Sequence, residues 1–153
     1  MRKKILSACI VASLGAGYAL TAYSQAKPET LVKQRKAAMT MQGKYFYGSL
    51  NPMAQGKIPY DAAVAARNAG YLEVLSKLPW DGFAESTKDQ KDTGALPAIW
   101  TEPAKFKAAQ DRLQTAVAAL VAATKGGNEA TVKAAIGDLG KACGNCHDNF
   151  AKQ

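Results

Sequence analysis

Near the C-terminal end of this 153-residue chain stands Cys143-Gly144-Asn145-Cys146-His147, and no other stretch restricts the molecule as strongly. The approach to it is helical. Val132, Ala135, Ile136, Leu139, Cys143, Cys146, His147 and Phe150 recur at the spacing of one helix face. On that face Cys143 and Cys146 lie three residues apart, and Cys143 and His147 four, so two thiols and an imidazole share one side. C-x-x-C-H is the spacing of covalent c-type haem attachment. The thiols add to the two vinyl groups, and the adjacent imidazole reaches the iron. His147 is the only histidine of the chain, so ligation by two histidines is excluded.

Other uses of the same residues fail on chemistry. Structural zinc wants four Cys or His ligands, and this stretch supplies three. A thioredoxin-type dithiol sits in a βαβ setting, and no strand pattern precedes this one. A disulfide at this spacing would close too short a loop to stabilise much.

The other end carries a second signal. Arg2, Lys3 and Lys4 form a basic start, Ile5 to Leu20 is mostly apolar or small, and Ser24-Gln25-Ala26 fits a small-x-small cleavage site. Residues 1–26 therefore read as a secretory signal peptide that is removed, leaving 27–153 as one domain exported to the periplasm. Leu6-Ser7-Ala8-Cys9 resembles a lipoprotein box but lies at the start of the apolar run, so Cys9 is read as incidental; a retained N-terminal anchor is the alternative. Loss of the leader lowers the net charge from +8 to +5, and two haem propionates bring it close to +3. Basic residues alternate with acids and alanines, with no aromatic-basic patch, which argues against nucleic acid. Weak steering of an acidic redox partner is the sharper use of the surplus lysines.

Between the ends the sequence divides into four helices. The first opens at Pro28-Glu29 and runs to about Tyr47, with Val32, Arg35, Met39, Gln42 and Phe46 on its inward face. Asn51-Pro52 and Gly56-Lys57-Ile58-Pro59 mark a loop. A second helix, capped by Tyr60-Asp61, carries Val64, Ala65, Ala69, Leu72, Leu75 and Leu78 until Pro79. A long connection from Pro79 to Glu102 holds Trp80, Phe83, Leu96, Ile99 and Trp100. Its two ends are expected to pack, and Glu85 to Gly94 to stay exposed. The third helix starts at Thr101-Glu102-Pro103 and stops at Gly126-Gly127; Asn128-Glu129 caps the fourth. Gly137 and Gly140 lie inside that last helix, through close approach of a neighbour or the haem, or through simple tolerance.

Taken with Lys27-Pro28-Glu29, Val32-Lys33-Gln34-Arg35, Pro59-Tyr60-Asp61-Ala62-Ala63, Leu78-Pro79-Trp80 and Pro97-Ala98-Ile99-Trp100, the chain resembles the class II c-type cytochromes, most closely cytochrome c′. The place of C-x-x-C-H on the last helix makes that likeness specific. The resemblance implies an all-α fold, an antiparallel four-helix bundle with one haem c attached to the C-terminal helix. It implies a high-spin, five-coordinate iron on His147, with Met39 covering the opposite face and Arg35 pairing with a propionate. It further implies binding of NO and CO. Two positions depart from the family. Lys36 stands where glutamine is common, and is kept as a weak candidate for cofactor contact. Ala151 stands where a cation is common, with Lys152 one step later. Thr93 and Gly94 fall where the family's loop can touch the haem.

Three functions compete. One is a haem protein for diatomic gases with Met39 as a packed lid. Another is a low-spin electron carrier with Met39 as sixth ligand; Met41 is turned away by about 200° of helix rotation. The third, an enzyme such as a peroxidase, wants a distal titratable group that the first helix lacks, so no enzymatic role is expected. Monomer and homodimer are both left open.

Overall fold

The structure, a computed structural model, describes residues 26–91 and 93–152. Residues 1–25 of the expected signal segment, Cys9 among them, lie outside that range. Helix α1 spans Pro28–Tyr45; Pro28 lies in its first turn, where no N–H partner is needed, and Glu29 faces the positive end of the helix dipole. One turn of π-helix, Phe46–Leu50, carries the chain straight into α2 (Asn51–Ala54). Helix α3 spans Ala62–Leu75, α4 Ala98–Thr101, α5 Pro103–Gly126 and α6 Glu129–Phe150. The Asp61 carboxylate accepts the N–H of Val64 at 2.9 Å, and the Asn128 side chain accepts that of Thr131 at 2.9 Å. Gly127, at φ 71°, turns the chain sharply between α5 and α6, which makes them antiparallel neighbours.

The long helices α1, α3, α5 and α6 form the antiparallel four-helix bundle. Its main core combines Phe46 and Leu50 with Ala65, Ala69 and Leu72 of α3. Leu113, Val117 and Leu120 of α5 and Val132, Ile136 and Leu139 of α6 complete it. A smaller second core gathers Ile99, Ala109 and Phe150, with Phe83, Trp100 and Phe106 packed around them. Cys143 borders the first core and Cys146 the second.

The structure corrects the expected outline in several places. Asn51-Pro52 is helical, not a loop. The Asn51 N–H reaches back five residues to the Phe46 carbonyl, and this wider turn lets the chain continue into Pro52 without breaking. Helix α3 stops at Leu75, so Leu78 lies past its end and is 56 % exposed. Asn68, a polar residue in the α3 stripe, is buried and donates to Ser49 Oγ at 2.9 Å. The segment expected to stay exposed is partly folded inward. After a 3-10 turn at Trp80–Phe83, in the end expected to pack, it forms a second at Glu85–Thr87 and buries Thr87, whose hydroxyl lies within hydrogen-bond distance of the carbonyls of Gly82 and Ala84. Of the three glycines in α6, only Gly140 has a close neighbour. A β-carbon there would stand 3.2 Å from Phe46 Cζ, whereas one on Gly137 would meet nothing within 4 Å.

Candidate haem site

The inward face of α6 opens onto two adjoining cavities. The larger, about 280 Å³, lies on the loop side and is walled by Arg35, Met39, Phe83, Thr93, Phe106 and Phe150 among others. The smaller, about 80 Å³, lies towards the main core, against Met39, Gln42, Phe46, Leu72, Trp80 and Cys143 among others. Three residues line both: Met39, Cys146 and His147. The slot therefore runs between α1 and α6, with the proposed lid on one wall and the imidazole on the other.

Cys143 and Cys146 are free thiols. Burial, reinforced by the nearby Cys146, pushes the Cys143 thiol up to about 11, and burial also raises that of Cys146. Both are thus protonated at neutral pH, the opposite of an activated redox dithiol. Among the described residues no group of three or more His, Cys, Asp and Glu side chains is placed to hold a metal ion.

Arg35 is buried at 3 % exposure. Its guanidinium donates through Nη1 to the Gly82 carbonyl and through Nη2 to the Thr93 carbonyl, and lies 4.4 Å from the centre of the Phe83 ring. Desolvation lowers its pKa, and no carboxylate is paired with it among the described residues. A buried cation facing a cavity without a counter-ion suits a ligand that brings its own carboxylate. Lys36 stands on the rim of the same cavity.

Sequence reasoning placed Arg35, Met39, Cys143, Cys146 and His147 on two helices, and the structure brings all five to one slot. It did not find the wall between them. Phe83 packs edge-on against Phe106 at 4.9 Å, and Phe106 against Phe150 at 5.2 Å, so the loop side is aromatic. Gly82 makes this possible, because a β-carbon would run into Arg35 and into the Leu31 carbonyl oxygen at 2.8 Å. The signals were the aromatic residues at the ends of the connection, Phe83 among them, and the glycine between Asp81 and Phe83. The wall is also tied to the end of α6. Leu96 N–H donates to the Phe150 carbonyl at 3.0 Å, Lys152 N–H to Gly94 at 2.9 Å, and Ala95 pairs with Ala151 in an isolated antiparallel bridge.

The donor set fits haem: an apolar slot, two thiols and an imidazole on one face, and a buried guanidinium at an edge. A four-helix bundle built around such a slot defines a c-type haem protein. Residues 30–151 match the family model described as Cytochrome C′. Cytochrome c′ of Rubrivivax gelatinosus is 44% identical over 127 residues, which is 83% of this chain and 98% of that one. Its crystal structure superposes with a TM-score of 0.78, covering 82% of this chain and 98% of that one. A nitric oxide complex of a cytochrome c prime mutant from Alcaligenes xylosoxidans superposes with a TM-score of 0.76 at 39% identity, covering 84% and 98%. The chain belongs to the cytochrome c′ family, and its cofactor is one covalently attached haem c.

Proposed function

We propose that this is a periplasmic haem protein that binds NO and CO at an iron position left open beside Met39. In this reading Cys143 and Cys146 carry the haem as thioethers, His147 is the single protein ligand, and Arg35 pairs with a propionate. Haem iron with one protein ligand supplies a site for small diatomic molecules. The observation that carries the proposal is the shared lining: Met39 faces both cavities together with His147, and no second histidine exists. A thioether there fills space with a flexible, apolar side chain. Small diatomics can push it aside, while bulky or strongly hydrated ligands are turned away by it and by Phe46, Leu72 and Trp80. The solved relatives bound to nitric oxide and carbon monoxide support the same class of ligand.

Export rests on the leader at residues 1–26, and the surplus of lysines favours an acidic redox partner when electrons are exchanged. α1 brings Arg35 and Lys36 but no histidine to the slot, which favours binding over acid–base turnover.

The test is the absorption spectrum of ferric and ferrous protein, with CO association to the ferrous form. High-spin spectra are expected, and Met39→Ala should accelerate CO association. A low-spin wild type, with a thioether–iron charge-transfer band that Met39→Ala removes, would make the electron-carrier reading the better one.

A further inference from the structure

We infer that Gln42 is the positioning residue for Met39, and that its amide holds the thioether as a lid and keeps it from becoming a ligand. This rests on the distal role proposed for Met39 and extends it to a residue beyond the iron site. Gln42 follows Met39 by one turn of α1 and lines the smaller cavity. Its Nε2 lies 3.8 Å from Met39 Sδ and 3.2 Å from the carbonyl oxygen of Leu75, the last residue of α3. Leu75 settles which way the amide points, because a carbonyl only accepts and so must face the NH₂ group. The second N–H of that group is then left for the sulfur.

The anchor matters more than the strength of the sulfur contact. Leu75 belongs to another helix, and its carbonyl is itself fixed by the Leu78 N–H at 3.2 Å. A methionine has three rotatable bonds and explores many rotamers when unrestrained. One N–H donor tied to a neighbouring helix selects among them and engages sulfur electron density that an iron would otherwise attract. Of the hydrogen-bond donors around the smaller cavity, Gln42 is the one in contact with the Met39 sulfur. Leu72, Leu113, Val117 and Leu139 are apolar, and the Trp80 indole N–H is spent on the Ser76 carbonyl at 2.7 Å. The bond to Leu75 ties Gln42 to α3, and the contact with Met39 gives that tie a consequence at the site.

The experiment compares spin state and stopped-flow CO association in the holoprotein, in Q42L and in Q42E, with M39A added to each variant. Q42L removes the amide, and Q42E keeps its length while removing both donors. In each single variant we expect the low-spin, thioether-ligated form to become the main ferric species. CO association should slow at least tenfold, and both effects should vanish when M39A is added. Spectra and CO rates within twofold of a high-spin wild type in both variants would overturn the inference and leave the gas-binding reading intact. A low-spin wild type would overturn that reading as well, so the two failures are distinct. If neither variant folds, side-chain amide exchange in the wild type decides: protected Gln42 protons are expected, and exchange at the rate of a free amide would overturn the inference.

Discussion

Arg35 shows what a single residue contributes to this site. Its charge persists at any ordinary pH although burial lowers its pKa, and its partners are two carbonyls and a phenyl ring. It joins α1 to the Trp80–Phe83 turn and to Thr93, so it is a structural tie as well as a candidate propionate ligand. Arg35→Ala takes a charged donor from the Gly82 and Thr93 carbonyls, of which Gly82 keeps the Thr87 hydroxyl, at a cost of about 2 kcal/mol. The thermal midpoint of the holoprotein should fall by several degrees, and an unchanged midpoint would remove Arg35 from the tie. The thiols offer a second test at this scale. A Cys143 thiol raised to about 11 makes haem-free protein lose stability as pH rises from its ordinary value of 9.0 through 11, because folding favours the neutral form. Haem-loaded protein should not show that loss, since a thioether sulfur has no proton to give up. Urea melts at pH 8 and pH 11 on both forms check this, and equal losses in the two would contradict thioether attachment through Cys143. Cys143→Ala with Cys146→Ala should likewise leave no haem after acid-acetone extraction.

Among the elements, α6 was legible from sequence and the connection between α3 and α5 was not. A long helix repeats its signal every three or four residues, and Asn128 marks its start. The turns Trp80–Phe83 and Glu85–Thr87 are each a single turn long, so no period can accumulate. Their place is set by tertiary partners: Gly82 against α1, Thr87 on the carbonyls of Gly82 and Ala84, and Trp100 donating to the Phe83 carbonyl at 3.0 Å. The π-turn hid Asn51-Pro52 in the same way, since proline suggests a break only where the preceding helix keeps its ordinary pitch. The glycines of α6 allow a paired prediction. Gly137→Ala gains helix propensity with nothing in its path and should stabilise by about 0.5–1 kcal/mol. Gly140→Ala gains the same propensity but presses on the Phe46 ring, an overpacking cost of roughly 1–3 kcal/mol. Calorimetry should show the first variant melting higher than wild type and the second lower or unchanged; the reverse order would refute the close packing of the Phe46–Leu50 turn on α6.

For the whole molecule, the site could be foreseen to the extent that its residues sit on long helices. The C-x-x-C-H residues were read from spacing, and Arg35 and Met39 share a regular face whose role at the site came from the resemblance to the family, whereas the slot they enclose depends on walls from elsewhere in the chain. No described helix is long and apolar enough to cross a membrane. The signal peptide proposed for residues 1–26 carries its own prediction: intact-mass analysis of exported protein should give residues 27–153 plus one haem. A lipid on Cys9 or an uncleaved leader would mean attachment to the membrane instead.

The tie between the loop wall and the end of α6 bears on how freely this sequence can drift. Its bonds run from the N–H groups of Leu96 and Lys152 to the carbonyls of Phe150 and Gly94, so side chains take no part in them. Alanine at position 151 therefore costs the seam's hydrogen bonds nothing, and exchanges at 152, which is exposed, should pass unnoticed by the wall, whereas Ala95 and Ala151 line the larger cavity and must stay small. Two further kinds of change would be felt. Proline at 96 or 152 removes a donor N–H, and any β-carbon at Gly94, held at φ 72°, strains the backbone that presents the acceptor. Shape at this edge is inherited through the main chain, leaving the exposed side chain at 152 free to vary towards new partners.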